Sequence, residues 1–284
     1  MSIIDKVKLW KAICQRLENG NDILRNNWDG RTWDEVIEKL NQITAVERRK
    51  QGDKWIDKEI FKGMVLSILS NQINWRNIDN IIDELPLIFN DYDINYYSNL
   101  HEEDINNFFI PWFKARNAGS QQLSNSLKNL IKSAKKINQI IDEYESFEKF
   151  LSKKLDQFDN DPKGLVRYFA DNTSKHKLPG FGIALAAEAF KNIGFDVAKP
   201  DRHINRAVGI FGLCNFKNWK NPKKDYSTPE ANDEEKIKVM MILEKMASAV
   251  NERVVFVDNV IWLLCAESGL HYTNEQLAQI VENL

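Results

Sequence analysis

The sequence has no apolar run of about 18 residues or more, so it predicts no membrane span. Its first residues, MSIIDKVKLWKAIC, lack a long apolar segment after the basic residues, and we expect an amphipathic helix there rather than a secretory signal. Cysteine is scarce: Cys14, Cys214 and Cys265 form no Cys-x-x-Cys pair. This leaves too few ligands for an iron–sulfur cluster or a zinc ribbon. We expect free thiols in a reducing cytoplasm.

Alternation of apolar and polar residues, which would predict strands, is also missing. Apolar residues recur instead at helical spacing, most clearly over residues 61–72, 123–141 and 254–264. Dipeptides rich in glycine and proline separate these segments. Thr228-Pro229 predicts a helix start, with the proline at the first helical position. We therefore predict an all-α fold, and 284 residues are enough for two lobes.

The net charge is only −2, but the charges are unevenly distributed. Residues 105–141 contain six Lys or Arg and no acid, and residues 163–224 contain twelve against four acids. These two stretches carry +14 together, so the remainder carries −16. A basic middle favours phosphate binding on one face. A Lys-rich, solvated helix surface is the alternative interpretation.

The most informative stretch is residues 177–208. A helix is predicted over Leu165–Asn172, a tight turn follows at Leu178–Gly182 (LPGFG), and a second helix covers Ile183–Asn192. Gly180 and Gly182 allow positive φ and a close backbone approach. The turn leads into a helix N-terminus, where free N–H groups can hold a phosphate.

This hairpin, the alanine-rich helix after it and the Pro200–His203 segment (PDRH) together resemble the helix-hairpin-helix Gly/Pro-Asp (HhH-GPD) superfamily of DNA glycosylases. That family includes endonuclease III and the 8-oxoguanine and alkyladenine glycosylases. Residues 61–75 (FKGMVLSILSNQINW) resemble its first barrel helix. The resemblance implies two helical lobes with a cleft between them. Residues 58–195 would form the barrel, and residues 1–57 with 196–284 the second lobe.

The resemblance implies a base-excision repair enzyme that flips a damaged or modified base out of duplex DNA and hydrolyses its N-glycosidic bond. Asp201 is the implied catalytic residue, because a fixed carboxylate stabilises the positive charge on the sugar and can activate water. Asp is also a common N-cap, which is a compatible role. Ala184 stands where bifunctional members have a Schiff-base lysine, which predicts a monofunctional enzyme. A displaced Lys175, Lys177 or Lys199 would instead make it a glycosylase–lyase.

The resemblance also implies the DNA contacts. Gln72 corresponds to the residue that fills the gap left by the flipped nucleotide, and a polar residue at a helix end is the alternative interpretation. Carbonyls around Gly180 and Gly182 are implied to hold a K+ or Na+ ion, and we expect no other cofactor. The implied contacts to the DNA backbone are Leu178, Pro179, Gly180, Phe181, Gly182, Lys175 and Lys177. The base-pocket candidates are Asn71, Asn74, Trp75, Trp262 and His203.

Other interpretations stay open. Trp262 on an apolar stripe is more often a core residue, and the histidine equivalent to His203 mostly supports structure beside the aspartate. A noncatalytic DNA-binding or scaffold protein that retains the hairpin is the main rival. We expect a cytoplasmic, nucleoid-associated monomer, although the sequence fixes neither the oligomeric state nor the excised base. It also assigns no role to four tryptophans of the N-terminal segment, Trp10, Trp28, Trp33 and Trp55.

Overall fold

The computed structural model describes residues 3–284, and side chains from Asp5 onward. Within these residues the chain forms α-helices and one π-helical turn, Ile105–Phe109, and no strand. The prediction of an all-α fold is confirmed. The helices are α1 (Ile3–Asn19), α2 (Asn21–Asn27), α3 (Trp33–Lys39), α4 (Gln42–Lys50), α5 (Asp57–Leu69), α6 (Trp75–Asp79), α7 (Leu85–Ile88), α8 (Ile94–Ser98), α9 (Glu102–Asp104), α10 (Ile110–Lys114), α11 (Leu123–Tyr144), α12 (Phe147–Gln157), α13 (Pro162–Ala170), α14 (Ile183–Asn192), α15 (Arg202–Ile210), α16 (Asp233–Val250), α17 (Val254–Cys265) and α18 (Asn274–Glu282).

The helices form two compact units. The contiguous unit is residues 45–195, and the flanking unit combines the segment ending at Thr44 with residues 196–284. The sequence placed the first boundary after residue 57, whereas residues 45–57 pack with the contiguous unit. Arg49 explains this difference, because its guanidinium pairs with both oxygens of Glu148 at 2.7 and 3.1 Å and donates to the Ile193 carbonyl at 2.8 Å. The cleft implied between two lobes stays a prediction.

In the contiguous unit, α5 packs closely along α14. Gly63 makes this approach possible, since a Cβ there would lie 2.7 Å from Ile193 Cγ2. Two side chains then bond across to the opposite backbone: Ser67 Oγ donates to the Leu185 carbonyl at 2.6 Å, and Asn192 Nδ2 to the Gly63 carbonyl at 3.0 Å. These contacts fix α14, and with it the hairpin that precedes α14.

In the flanking unit, α1 packs against α16, α17 and α18, and α15 packs against α17 and α18. The guanidinium of Arg206, on α15, is fully buried. It donates to the carbonyls of Tyr272 and Cys265 at 2.8 and 3.1 Å, and to Asn274 Oδ1 at 3.2 Å. A buried charge with this many acceptors ties α15 to the chain around α18.

The N-terminal tryptophans belong mainly to the cores of their units. Trp10 and Trp28 are buried in the flanking unit, where Trp28 Nε1 donates to the Ser268 carbonyl. Trp55 is buried in the contiguous unit, with the Arg48 guanidinium 4.5 Å from its ring centre. Trp33 is half-buried and donates to a Glu18 carboxylate oxygen. Packing therefore accounts for most of this aromatic segment.

Three helix boundaries differ from those predicted. The helix predicted over Leu165–Asn172 covers Pro162–Ala170. The helix predicted over residues 61–72 ends at Leu69. The helix start predicted at Thr228-Pro229 is wrong, because α16 begins at Asp233. There Asn232 Oδ1 accepts from the Glu235 N–H, and a Glu235 carboxylate oxygen accepts from the Asn232 N–H, both at 2.9 Å. This reciprocal capping satisfies two N–H groups, which a start at Pro229 would not do.

The amphipathic N-terminal helix is present as α1, with Leu9, Ile13 and Leu17 buried, while Met1 and Ser2 lie outside the described residues. None of the helices within residues 3–284 is both long and apolar enough to cross a membrane. The three cysteines are free thiols. Burial raises the pKa of Cys265 to about 12, so this thiol is protonated and unreactive at neutral pH.

Candidate functional site

The hairpin joins α13 to α14 in the contiguous unit. The Phe181 N–H donates to the Leu178 carbonyl at 3.1 Å and closes a tight turn, with Gly180 at φ +84°. A Cβ on Gly180 would also lie 2.8 Å from Asn129 Cβ, so both the turn and the neighbouring α11 require glycine here. Gly182 differs from the expectation of positive φ, because its backbone is extended (φ −85°, ψ 179°) and open space surrounds the position of a Cβ.

Gly182 is the N-cap of α14, and no side chain caps this helix. Gly182 is exposed, and Ala184 is half-buried in the first turn. The first N–H groups of a helix have no partner within the helix and carry the positive end of its dipole. An exposed start without a side-chain cap is therefore suited to hold an anion such as a phosphate.

Most side chains of the hairpin make contacts within the protein. Leu178 and Phe181 are buried, so only their backbones can meet a ligand. Lys175 is exposed and lies 3.5 Å from a Glu143 carboxylate oxygen. Lys177 instead turns back: its Nζ donates to the carbonyl of Ala170 at 2.7 Å and to the carbonyl of Phe181. Of the two lysines expected to contact phosphates, Lys175 is thus the one with its charge in solvent.

Residues 70–74 connect α5 to α6. Gln72 is exposed and has φ +63°, in the left-handed region that costs a non-glycine residue about 1–3 kcal/mol. Buried Ile73 anchors the loop, and Asn74 Oδ1 accepts from the Arg76 N–H at 3.0 Å and caps α6. The other two base-pocket candidates of this loop region, Asn71 and Trp75, are half-buried. The strained backbone of this exposed amide is thus followed directly by a buried residue and a capped helix.

In the flanking unit, Asp201 is the N-cap of α15. Its Oδ1 accepts from the N–H groups of His203 and Ile204 at 2.8 and 3.1 Å, and its Oδ2 lies 3.7 Å from Lys199 Nζ. The Asp201 side chain is 16% exposed and the Lys199 side chain 11%. Both carboxylate oxygens are therefore held in place while the group keeps some access to solvent.

The charges around Asp201 fix its protonation state. Burial raises the pKa of the Asp201 carboxyl, but Lys199, His203 and the two backbone N–H groups lower it by more. Its pKa lies below the ordinary value, and Asp201 is ionised at neutral pH. Burial lowers the pKa of His203, as do Arg202, Arg206 and Lys199, and Asp201 raises it by less. The result is a neutral imidazole beside an ionised carboxylate.

The segment before Asp201 is held by polar side chains. Asp258 Oδ1, on α17, accepts from the Lys199 N–H at 3.0 Å, and Asn205 Nδ2, on α15, donates to the Pro200 carbonyl at 3.1 Å. Asp258 and Asn205 were not predicted from the sequence. Asp258 carried a signal, since an acid inside an otherwise apolar helix needs a buried polar partner. Trp262 lies on the same helix and is half-buried, whereas most of α17 is buried.

The structure therefore brings Lys199, Asp201 and His203 together in the flanking unit. It groups the hairpin with Lys175 and Lys177 in the contiguous unit, where the loop of Gln72 also lies. No three or more His, Cys, Asp or Glu side chains among the described residues are arranged to hold a metal ion.

Comparison with known proteins adds one structural match. No family model and no curated protein matches the sequence. A solved structure of Methanocaldococcus jannaschii 8-oxoguanine glycosylase/lyase, in complex with a 15mer DNA containing 8-oxoguanine, matches with a TM-score of 0.53 and 17% identity. The match covers 87% of this chain and 95% of that chain. A likeness at this identity concerns the fold, and it gives this chain a helical fold of the kind found in that DNA glycosylase.

Proposed function

We propose that the chain is a DNA glycosylase that excises a damaged or modified base from duplex DNA. The observation that carries the proposal is Asp201, an ionised carboxylate held through both oxygens at the start of α15 and still partly exposed. It occurs in a chain whose fold is like that of an 8-oxoguanine glycosylase/lyase. The hairpin and its uncapped helix start supply a site for a DNA phosphate.

Cleavage of the glycosidic bond builds positive charge on the deoxyribose. A carboxylate that is already ionised and oriented stabilises this charge without having to reorganise, and it can orient the attacking water. His203 is neutral and so adds no positive charge beside the developing cation. The hairpin would hold the backbone of the damaged strand, with Lys175 adding a screened phosphate contact. Gln72, in the loop between α5 and α6, would fill the gap left by the flipped nucleotide.

We further propose that water, rather than a lysine, attacks the sugar. Ala184 has no amine. Lys177 Nζ donates to two carbonyls, and Lys199 Nζ lies 3.7 Å from Asp201 Oδ2, so both amines are already engaged by oxygen acceptors. The expected product is an abasic site with both DNA strands intact.

A glycosylase–lyase is the second candidate, and Lys199 is the residue that favours it. Its Nζ lies 3.7 Å from Asp201 Oδ2, so an amine is present beside the proposed catalytic carboxylate. Attack of this amine on the sugar carbon would give the Schiff base of a lyase. Borohydride trapping on a cleaved substrate separates the two candidates, since an adduct that Lys199→Arg abolishes would establish the lyase.

The test of the proposed function is excision from a panel of duplexes, each with one defined lesion or modified base, read after hot alkali. Wild-type protein is compared with Asp201→Asn, which keeps the size and the capping oxygen. We expect alkali-dependent cleavage of one class of duplex by the wild type and strongly reduced cleavage by the variant. If neither protein cuts any duplex, including those with unusual bases, while both bind DNA equally and with steep salt dependence, the chain is a noncatalytic DNA-binding protein.

A further inference from the structure

The resemblance to HhH-GPD glycosylases implies a K+ or Na+ ion on the hairpin carbonyls, and the residues present do not fit one. The Leu178 carbonyl accepts from the Phe181 N–H at 3.1 Å, and the Pro179 carbonyl accepts from Ser133 Oγ at 2.8 Å. The Phe181 carbonyl accepts from Lys177 Nζ. A metal ion at this carbonyl would have to approach an ammonium group that already brings a full positive charge.

The second hydrogen bond of Lys177 explains why its ammonium group lies at this position. Its Nζ also donates to the carbonyl of Ala170 at 2.7 Å, and Ala170 is the last residue of α13. The C-terminal end of a helix carries unpaired carbonyls and the negative end of the dipole, where a cation is favourable. Hydrogen bonds from an ammonium group are also stronger than those between neutral groups. The lysine thus links the end of one hairpin helix to the turn that begins the next.

We propose that Lys177 is the built-in cation of this hairpin, so that its ammonium takes the place of a bound K+ or Na+ ion. The shape of the hairpin then does not depend on which monovalent cation the solution contains. The vacated carbonyls of a Lys177 variant become a site for a small cation. A bulky cation such as tetramethylammonium, which has no N–H donor, cannot replace the ammonium.

Lys175 provides the matched control. It lies two residues earlier, carries the same charge, and has a side chain that is 70% exposed and paired with Glu143. Lys175→Met therefore removes one positive charge near the hairpin without touching the hairpin carbonyls. A difference between the Lys175→Met and Lys177→Met variants reports the carbonyl contacts rather than the net charge.

The first experiment measures thermal unfolding of both variants and the wild type, without DNA, in KCl, NaCl and tetramethylammonium chloride at one ionic strength. We expect the wild type and Lys175→Met to unfold at the same temperature in all three salts. We expect Lys177→Met to unfold at a lower temperature in tetramethylammonium chloride and to regain part of the loss in KCl or NaCl. Lys177→Arg, which keeps the charge and the donors, should behave as the wild type.

The second experiment measures the affinity for a duplex that contains an abasic-site analogue, in the same three salts. This experiment rests on the proposed function, whereas the unfolding experiment does not. If only the DNA experiment fails, the proposed function is in doubt, and if the unfolding experiment fails, the role of Lys177 is. We expect Lys177→Met to bind about tenfold more weakly than the wild type in tetramethylammonium chloride, and closer to the wild type in KCl. Lys175→Met, which loses a phosphate contact, should bind more weakly than the wild type by the same factor in all three salts.

Two results would overturn the proposal. If the wild type is more stable in KCl or NaCl than in tetramethylammonium chloride, a metal ion enters the hairpin despite Lys177. If Lys177→Met is as insensitive to the choice of salt as Lys175→Met, then Lys177 is an ordinary surface charge. Should Lys177→Met fail to fold, Lys177→Gln, a neutral donor of similar length, carries the same comparison.

Discussion

Helices α14 and α15 begin with almost the same backbone conformation, but only α15 has a negatively charged side chain at its N-cap. The N-cap of α14, Gly182, has φ −85° and ψ 179°, and the N-cap of α15, Asp201, has φ −85° and ψ −176°. At α15 a carboxylate accepts from two N–H groups, whereas at α14 no side chain caps the helix. The side chain at one position therefore decides whether a helix start contains its own anion or is open to a foreign one.

This difference separates two tasks of the proposed enzyme. An uncapped start attracts an anion and suits a DNA phosphate. A capped start presents a fixed negative charge and suits a substrate that becomes positive in the transition state. The four predictions below test this contrast, in order of decreasing expected effect.

The largest effect is expected at Asp201. Asp201→Asn keeps the N-cap and removes the charge, whereas Asp201→Ala removes both. We expect both variants to lose excision by a factor of about 100 or more, because the charge stabilises the transition state. Asp201→Ala should lose about 1 kcal/mol more stability than Asp201→Asn, because Asn caps a helix as well as Asp. Single-turnover excision and denaturant unfolding measure the two effects, and full activity in Asp201→Asn would refute the catalytic role.

Gly182→Asp gives α14 the kind of start that α15 has. The backbone already has the N-cap conformation and no atom lies within 4 Å of the new Cβ, so the side chain fits without strain. We expect the free energy of unfolding to stay equal or rise by a few tenths of a kcal/mol. DNA affinity should fall by about tenfold, since the carboxylate occupies the anion site and repels phosphate.

Gly182→Asn is the control for this change, because it adds the same cap without the charge. Fluorescence anisotropy with a lesion-containing duplex compares the two variants. A carboxylate variant that binds DNA as well as the wild type would mean that the start of α14 is not a phosphate site. Equal losses in both variants would point to steric obstruction or loss of the free N–H groups rather than to repulsion.

The prediction at Gln72 concerns a loop residue rather than a helix start. Gln72→Gly relieves the left-handed strain and should raise the free energy of unfolding by about 1 kcal/mol. Gln72→Ala keeps the strain and removes the amide. Both variants should excise the target base more slowly if the amide fills the gap in the duplex, while the gain in stability should appear only with glycine. Wild-type excision rates in both variants would remove Gln72 from the proposed site.

We expect Lys199→Met to shift the pH dependence of the excision rate more than it lowers the maximal excision rate. Lys199 lowers the pKa of the Asp201 carboxyl, so its removal raises that pKa. Excision requires the ionised carboxylate and is lost as the pH falls through its pKa. The acid limb of the rate profile should therefore move to higher pH, while the alkaline plateau stays near that of the wild type. Lys199→Arg should restore the wild-type profile, and an unmoved acid limb in Lys199→Met would contradict the ion pair.

The parts of the fold that local signals determine were predictable from the sequence. Helix α14 has the predicted bounds, Ile183–Asn192, because glycine precedes it and small helix-forming residues fill it. The end of α5 was not predictable, because the apolar spacing continues past Leu69 and only a left-handed residue interrupts the helix. The start of α16 was missed because proline is a strong local signal, and the capping pair three residues further on is stronger.

The candidate site was predictable only in part, for a physical reason. The N-cap role of Asp201 and the turn at Gly180 were recognisable because capping and backbone conformation depend on neighbouring residues. The partner of a long side chain depends on the fold, so Lys177 was expected to contact phosphate and instead donates to Ala170 and Phe181. The fixing of the Lys199 backbone by Asp258 joins positions 59 residues apart, which no local pattern reports.

The division of the flanking unit between both ends of the chain has a consequence during synthesis. Helix α1 buries Leu9, Ile13 and Leu17, and it packs against α16, α17 and α18, which are synthesised much later than α1. The contiguous unit can close as soon as residue 195 has emerged, since all its segments are then present. The apolar face of α1 becomes buried only after α16, α17 and α18 have been synthesised. A nascent chain stalled after residue 195 would therefore expose this face, and it is there that a holding chaperone would be needed most.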